Sequence, residues 1–93
     1  MIVGVLTWRL RLPGCRSLKE KRMVVRSLKD RIRHRFNASV AETGDQDVWT
    51  RSRITVAVVA GDRAMADSVL DKIDRFVVED GRAVVEGVER ELL

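Results

Sequence analysis

Apolar and polar residues alternate from Ile2 to Leu12. Ile2, Leu6, Trp8, Leu10 and Leu12 fall on one face together with Gly4, and Val3, Val5, Thr7, Arg9 and Arg11 fall on the other. A period of two with one apolar face predicts a strand packed on helices on one side and open on the other. Trp8 lies on the packed side, where its expected role is packing. Pro13-Gly14 ends the strand, since proline removes a donor and glycine permits a turn. The period then changes to that of a helix. Ser17 and Glu20 make an S-x-x-E capping box that starts the helix near Leu18, and it runs to Phe36. At 100° per residue Leu18, Val24, Val25, Leu28, Ile32 and Phe36 share one arc. Lys19, Arg22, Arg26, Lys29 and Arg33 share an adjoining arc about 80° wide.

Asn37–Thr43 reads as a short strand, and Gly44-Asp45-Gln46-Asp47 as a polar turn. Trp49 follows, either covering the core edge or standing exposed as a contact residue, with packing expected. Arg53–Ala60 is a third strand with Ile54, Val56 and Val58 inward and Arg53, Thr55, Ala57 and Val59 outward. Gly61-Asp62 turns the chain, and Asp62 suits an N-cap. Ala66, Val69, Leu70, Ile73, Phe76 and Val77 then repeat at helical spacing over Arg63–Glu79. The outer face of this helix carries Asp67, Asp71 and Asp74, and Asp71 is spaced to pair with Arg75 at i,i+4. After Gly81, Arg82–Leu92 is a last strand. The order β-α-β-β-α-β predicts one α+β domain over residues 1–93 with a ferredoxin-like fold. Right-handed crossovers put two helices on one face of a four-stranded antiparallel sheet of order 4-1-3-2.

Charge distribution adds a polarity to this picture. Residues 1–41 hold eleven lysines and arginines against two acids, and residues 42–93 hold seven against twelve. A basic side of that kind attracts phosphates or acidic proteins. The alternative is that basic and acidic elements face each other within the fold or an oligomer. A single cysteine excludes an internal disulfide framework and Cys-pair metal or redox sites. The expected compartment is cytosolic, with no membrane-spanning segment.

Catalytic constellations do not emerge. His34, near the end of a basic helix, suits a charge–dipole role. Cys15 stands close to a helix N-terminus beside Arg16 and Lys19, which would lower its pKa, but His34 is more than four helical turns away and no base faces it. Iron–sulfur and metal-transport variants of the fold need more cysteines. RNA-recognition motifs need aromatics on the first and third strands, and the third strand has none. No metal ligand set, cofactor or enzyme activity is expected.

SLKEKR at 17–22, FNASVAE at 36–42 and Asp47-Val48-Trp49, with the N-terminal MIVGVLTWRLRLPGCRSLKEKR, resemble the YlxP-like family of small bacterial proteins. The resemblance runs the full length. It implies a ferredoxin-like fold, no established activity or catalytic residues, and a suspected link to translation or ribosome maturation. The residues themselves suggest a binding module for structured or ribosomal RNA. Lys19, Arg22, Arg26, Lys29 and Arg33 would meet phosphates, with Arg9 and Arg11 as a second patch on the open sheet face. Two alternatives use that face: self-association through Val3, Val5, Thr7, Thr55, Ala57 and Val59, giving a homodimer, or a small-ligand regulatory module.

Overall fold

A computed structural model describes residues 1–93. Its elements are β1 (Ile2–Arg11), α1 (Leu18–Arg35), β2 (Ser39–Gly44), β3 (Arg51–Ala60), α2 (Arg63–Val78) and β4 (Val84–Leu92). All pairings are antiparallel and the sheet order is β2-β3-β1-β4. This is the ferredoxin-like α+β arrangement expected from the pattern of periods. α1 packs against β2, and α2 packs against β1, β3 and β4.

Strand boundaries differ from the sequence reading for local reasons. β2 begins at Ser39, because Phe36 caps α1 in extended backbone and the Ala38 N–H donates to the Phe36 carbonyl at 3.0 Å. β3 begins two residues early, because Arg51 and Ser52 pair with Arg11 and Leu10. β4 begins at Val84, since the Ala83 N–H is taken by the Asp80 carbonyl at 3.3 Å in the preceding turn. The β1–β4 register shifts between Arg9 and Leu10, leaving Glu86 outside the pairing.

The core is the packed face of the sheet against both helices. Leu6, Trp8, Leu10 and Leu12 of the first strand and its exit meet Ile54, Val56 and Val58 of β3. Val25, Leu28 and Ile32 close it from α1, and Leu70, Ile73 and Val77 from α2. Trp8 is completely buried, as its register predicts, and its indole N–H donates to Asp74 Oδ1 at 2.8 Å. The polar end of a buried indole is thereby satisfied from the helix above it. Gly4 lets that helix approach: a Cβ there would stand 2.9 Å from Leu70 Cδ1.

The acids of α2 are engaged within the fold. Asp67 and Asp71 accept from Arg90 of β4 at 3.0 and 2.7 Å, and Asp74 accepts from Trp8. The expected Asp71–Arg75 helix pair does not form, because the neighbouring strand offers Asp71 a closer guanidinium. At the α2–β4 turn, Asp80 accepts from Arg31 at 2.8 Å and from the side chain and backbone of Arg82. Burial by itself pushes the Asp80 carboxyl up, but the bonds from Arg82 and the charges of Arg82 and Arg31 outweigh it and hold the pKa below the usual value. A depressed folded-state pKa contributes stability above the unfolded-state pKa and loses it as pH falls through the folded value. Asp80→Asn is therefore expected to lower stability at pH 7. The gap between variant and parent should close as pH drops below about 4 in urea titrations at stepped pH.

Candidate functional site

α1 presents three different faces. Its core arc is Lys21, Val25, Leu28 and Ile32. One flank turns to α2, where Arg31 meets Asp80, Ser27 Oγ accepts from Arg82 at 3.2 Å, and Arg31 and Arg35 lie over the Phe76 ring. The opposite flank carries Lys19, Arg22, Arg26, Lys29 and Arg33, the expected stripe. Its start is set by Ser17, whose Oγ accepts from the Glu20 N–H at 3.1 Å. The reciprocal bond of the box goes one residue further out, from the Arg16 N–H to Glu20 Oε2 at 2.7 Å.

Within the stripe the structure separates Arg33 from the rest. Arg33 donates to the Val40 carbonyl at 2.7 Å and to Asp30 at 3.4 Å, covering part of the edge strand β2. Lys19, Arg22, Arg26 and Lys29 have no carboxylate within 4.0 Å and make no side-chain hydrogen bond. Other cations are matched with acids, Arg31 and Arg82 with Asp80 and Arg90 with Asp67 and Asp71, whereas Arg16, Arg35, Arg51, Arg53, Arg63, Lys72 and Arg75 share the stripe's lack of a carboxylate partner. The idea that basic and acidic elements simply face each other thus holds for Arg31 on the α2 side of α1 and fails for the stripe.

Lys21 is a residue that the sequence reading left unassigned. It is fully buried, yet all three of its N–H donors are placed. They reach Glu42 Oε2 at 2.8 Å and the carbonyls of Asp45 and Gln46 at 2.6 and 3.2 Å. Ser52 Oγ adds a 2.6 Å bond to Glu42 Oε2. Asp45 takes a left-handed backbone, φ 56°, to aim its carbonyl at both Lys21 and the Val48 N–H. Signals for this cluster exist in the sequence. On the helical wheel Lys21 falls between Leu28 and Ile32, and Glu42 shares the inward face of β2 with Val40. The result is a clamp from α1 onto the β2–β3 hairpin. That hairpin carries Trp49, which is 48% exposed; the packing role expected for Trp49 is corrected, since the clamp holds the hairpin beyond the core.

The other patch lies across the sheet, on the face away from the helices. Arg9 stands directly opposite Arg53, and Arg11 directly opposite Arg51. Like charges in that relation repel, and sequence reasoning named Arg9 and Arg11 without their two partners. Glu89 lies 3.8 Å from Arg9 and Glu86 3.3 Å from Arg11, so β4 offsets only half of the four charges. Beside them Thr55 Oγ1 links Thr7 at 3.0 Å and Thr43 at 2.9 Å in a hydroxyl ladder. Val3 opposite Val59 and Val5 opposite Ala57 complete the face, and Val59 is 72% exposed. The seven cations named from sequence therefore divide into two patches with the sheet between them.

Cys15 departs from expectation. It is buried, and burial is the largest influence on its thiol, with Glu20 adding to it and Lys21 opposing. The pKa is raised rather than lowered, so the thiol stays protonated at neutral pH and is a poor nucleophile. No three His, Cys, Asp or Glu side chains cluster as metal ligands, and no helix is long and apolar enough to cross a membrane.

Fold and surface together define a small ferredoxin-like α+β protein with one cationic helix flank. The chain belongs to the family described as Protein of unknown function (DUF503), whose model matches residues 3–90. It is similar to Uncharacterized protein YlxP of Bacillus subtilis (strain 168), 36% identical over 61 residues. That match spans 66% of this chain and 66% of the relative, just under two thirds of its length.

Proposed function

We propose that this is a non-enzymatic, cytoplasmic protein that binds structured RNA, ribosomal RNA included, through the stripe of α1. The observation that carries the reading is the alignment of Lys19, Arg22, Arg26 and Lys29 along one flank of a single helix, with no carboxylate within 4.0 Å of any of the four. Like charges at i,i+3 and i,i+4 cost a few tenths of a kcal/mol per pair, and a phosphate backbone offsets that cost. Phosphate contacts position a protein without reading sequence, and A-form shape would supply selectivity. Arg9 and Arg11, joined by Arg51 and Arg53, form the second cationic patch. Base stacking of the RNA-recognition type has no support on the sheet, since Trp8 is buried. The test is titration of a ribosomal RNA fragment at stepped salt. Four phosphate contacts give a log–log slope of about −3 to −4, and a slope near zero overturns the reading.

A second reading is favoured by the contiguous apolar group Val3, Val5, Ala57 and Val59 on the uncovered face. It predicts a homodimer that buries this group and ignores RNA. Light scattering across a wide concentration range checks it, and a monomer throughout rejects it.

A further inference from the structure

The flank of α1 opposite the stripe meets α2 at a recess of about 260 Å³ lined by Arg35, Phe36, Lys72, Arg75, Phe76 and Glu79. Spacing on α2 explains four of these residues. Positions i, i+3, i+4 and i+7 place Lys72, Arg75, Phe76 and Glu79 on one strip. Phe36 and Phe76 form its aromatic floor, edge to face, with ring centroids 5.7 Å apart at 81°. The Arg35 guanidinium lies over both rings, 5.9 Å from the centroid of Phe36 and 5.4 Å from that of Phe76. Cation–π contact restrains that side chain beside the recess and leaves its N–H donors without a protein acceptor.

None of Arg35, Lys72 and Arg75 has a carboxylate within 4.0 Å, in contrast to Arg31 one turn away, which is tied to Asp80. Three cations against Glu79 leave the recess two charges positive. Helix dipoles account for part of this: Arg35 and Arg75 lie in the last turns of their helices, where a cation is favoured. Lys72 lies outside the last turn of α2, beyond the reach of that effect, yet it lines the same recess.

We propose that this recess binds a phosphomonoester. Such a group carries about −1.5 to −2 at pH 7, which matches the surplus, whereas a phosphodiester carries a single charge. Guanidinium forks donate bidentately to phosphate oxygens, and the ammonium of Lys72 adds a point charge. The volume falls below the roughly 300–1,000 Å³ of pockets that enclose drug-sized ligands, so a phosphate head with a partly exposed body is the fitting size. A planar body such as a nucleobase would stack on the Arg35 guanidinium. The phosphate has three possible sources: inorganic phosphate, a free nucleoside monophosphate, or the 5′ end of an RNA.

Amide NMR titrations of the whole chain test the site with inorganic phosphate, AMP and adenosine. Phosphate and AMP are expected to shift the amides of Arg35, Phe36 and Lys72 to Phe76, and adenosine to leave them in place. Arg75→Gln should weaken AMP at least about tenfold, the loss expected for one charge-assisted hydrogen bond. Lys72→Gln, at an exposed position, repeats the test in a second variant with little risk to folding. Substitution of Lys19, Arg22 and Arg26 should leave AMP binding unchanged, which separates this site from the stripe. An RNA whose 5′-phosphate tightens binding over its 5′-hydroxyl form, in parent but not in Arg75→Gln, assigns the RNA end as the source. Equal affinity of the two RNAs assigns the free nucleotide where AMP binds more tightly than inorganic phosphate, and inorganic phosphate where it does not. No response to phosphate or AMP at millimolar concentration overturns the proposal. So does binding that both variants retain in full.

Discussion

Replacement of Lys21 by methionine is expected to destabilise the protein by about 3–5 kcal/mol, the cost of leaving one partner of a buried ion pair uncompensated. The side chain is 0% exposed and its ammonium is held by Glu42 Oε2, Asp45 O and Gln46 O. Removing it leaves the Glu42 carboxylate, 15% exposed, with Ser52 as its remaining side-chain partner, and frees the hairpin from α1. In a domain of this size each kcal/mol lowers Tm by about 4–8 °C, so thermal and urea unfolding will both register the change. Pairing Lys21→Met with Glu42→Leu should recover most of the loss, because an apolar pair of similar volume carries no desolvation penalty. A single variant that melts within a few degrees of the parent would show that the clamp contributes little. The double variant also probes Trp49, since the hairpin that carries it is the segment the clamp holds. Near-native melting with altered Trp49 fluorescence is the expected signature.

The stripe should behave in the opposite way. Changing Lys19, Arg22 and Arg26 together to glutamine is expected to leave stability within about 1 kcal/mol, since all three are exposed and make no internal bond. Relief of like-charge repulsion along the helix offsets part of any loss of helix propensity. RNA affinity at about 0.1 M salt should fall on the order of 10²-fold, and the salt slope should flatten by about 2–3, one phosphate per cation removed. Filter binding at stepped salt reads both quantities. Arg33→Gln belongs in the same series as a contrast. Its guanidinium is bonded to the Val40 carbonyl, so its loss should disturb the β2 edge more than it disturbs RNA. Unchanged affinity in the triple variant would remove the basis for the RNA reading.

Much of the fold was legible because its signals are local. Alternation marked β1 and β3, the Ser17 and Asp62 caps marked both helix starts, and Trp8 fell on the core side of its strand. Boundaries were less legible where pairing partners decide them, as at Arg51, which joins β3 because Arg11 lies opposite. The surface was legible only as composition. A wheel placed five cations on one stripe of α1, and the tertiary structure then withdrew Arg33 to cap a strand carbonyl. It also paired Asp71 with Arg90 in preference to Arg75, four residues away on its own helix.

What the sequence determined by itself is the order of the six elements, the inward face of each, and the segregation of positive charge into the first forty-one residues. Those properties follow from period and capping, which are set by neighbours along the chain. Which charges remain available to a partner was decided only by the tertiary structure. Burial and pairing depend on residues that packing brings together from distant positions: Glu42 to Lys21 and Asp80 to Arg31 as ion pairs, Arg53 opposite Arg9 in the sheet, and Lys72 with Arg35 around one recess at the helix junction. Lys21 and Arg22 are adjacent cations in one motif, yet the first is a buried clamp and the second an exposed member of the stripe. The helix turns one toward the hairpin and the other toward solvent, and each side chain takes its role from what it meets there.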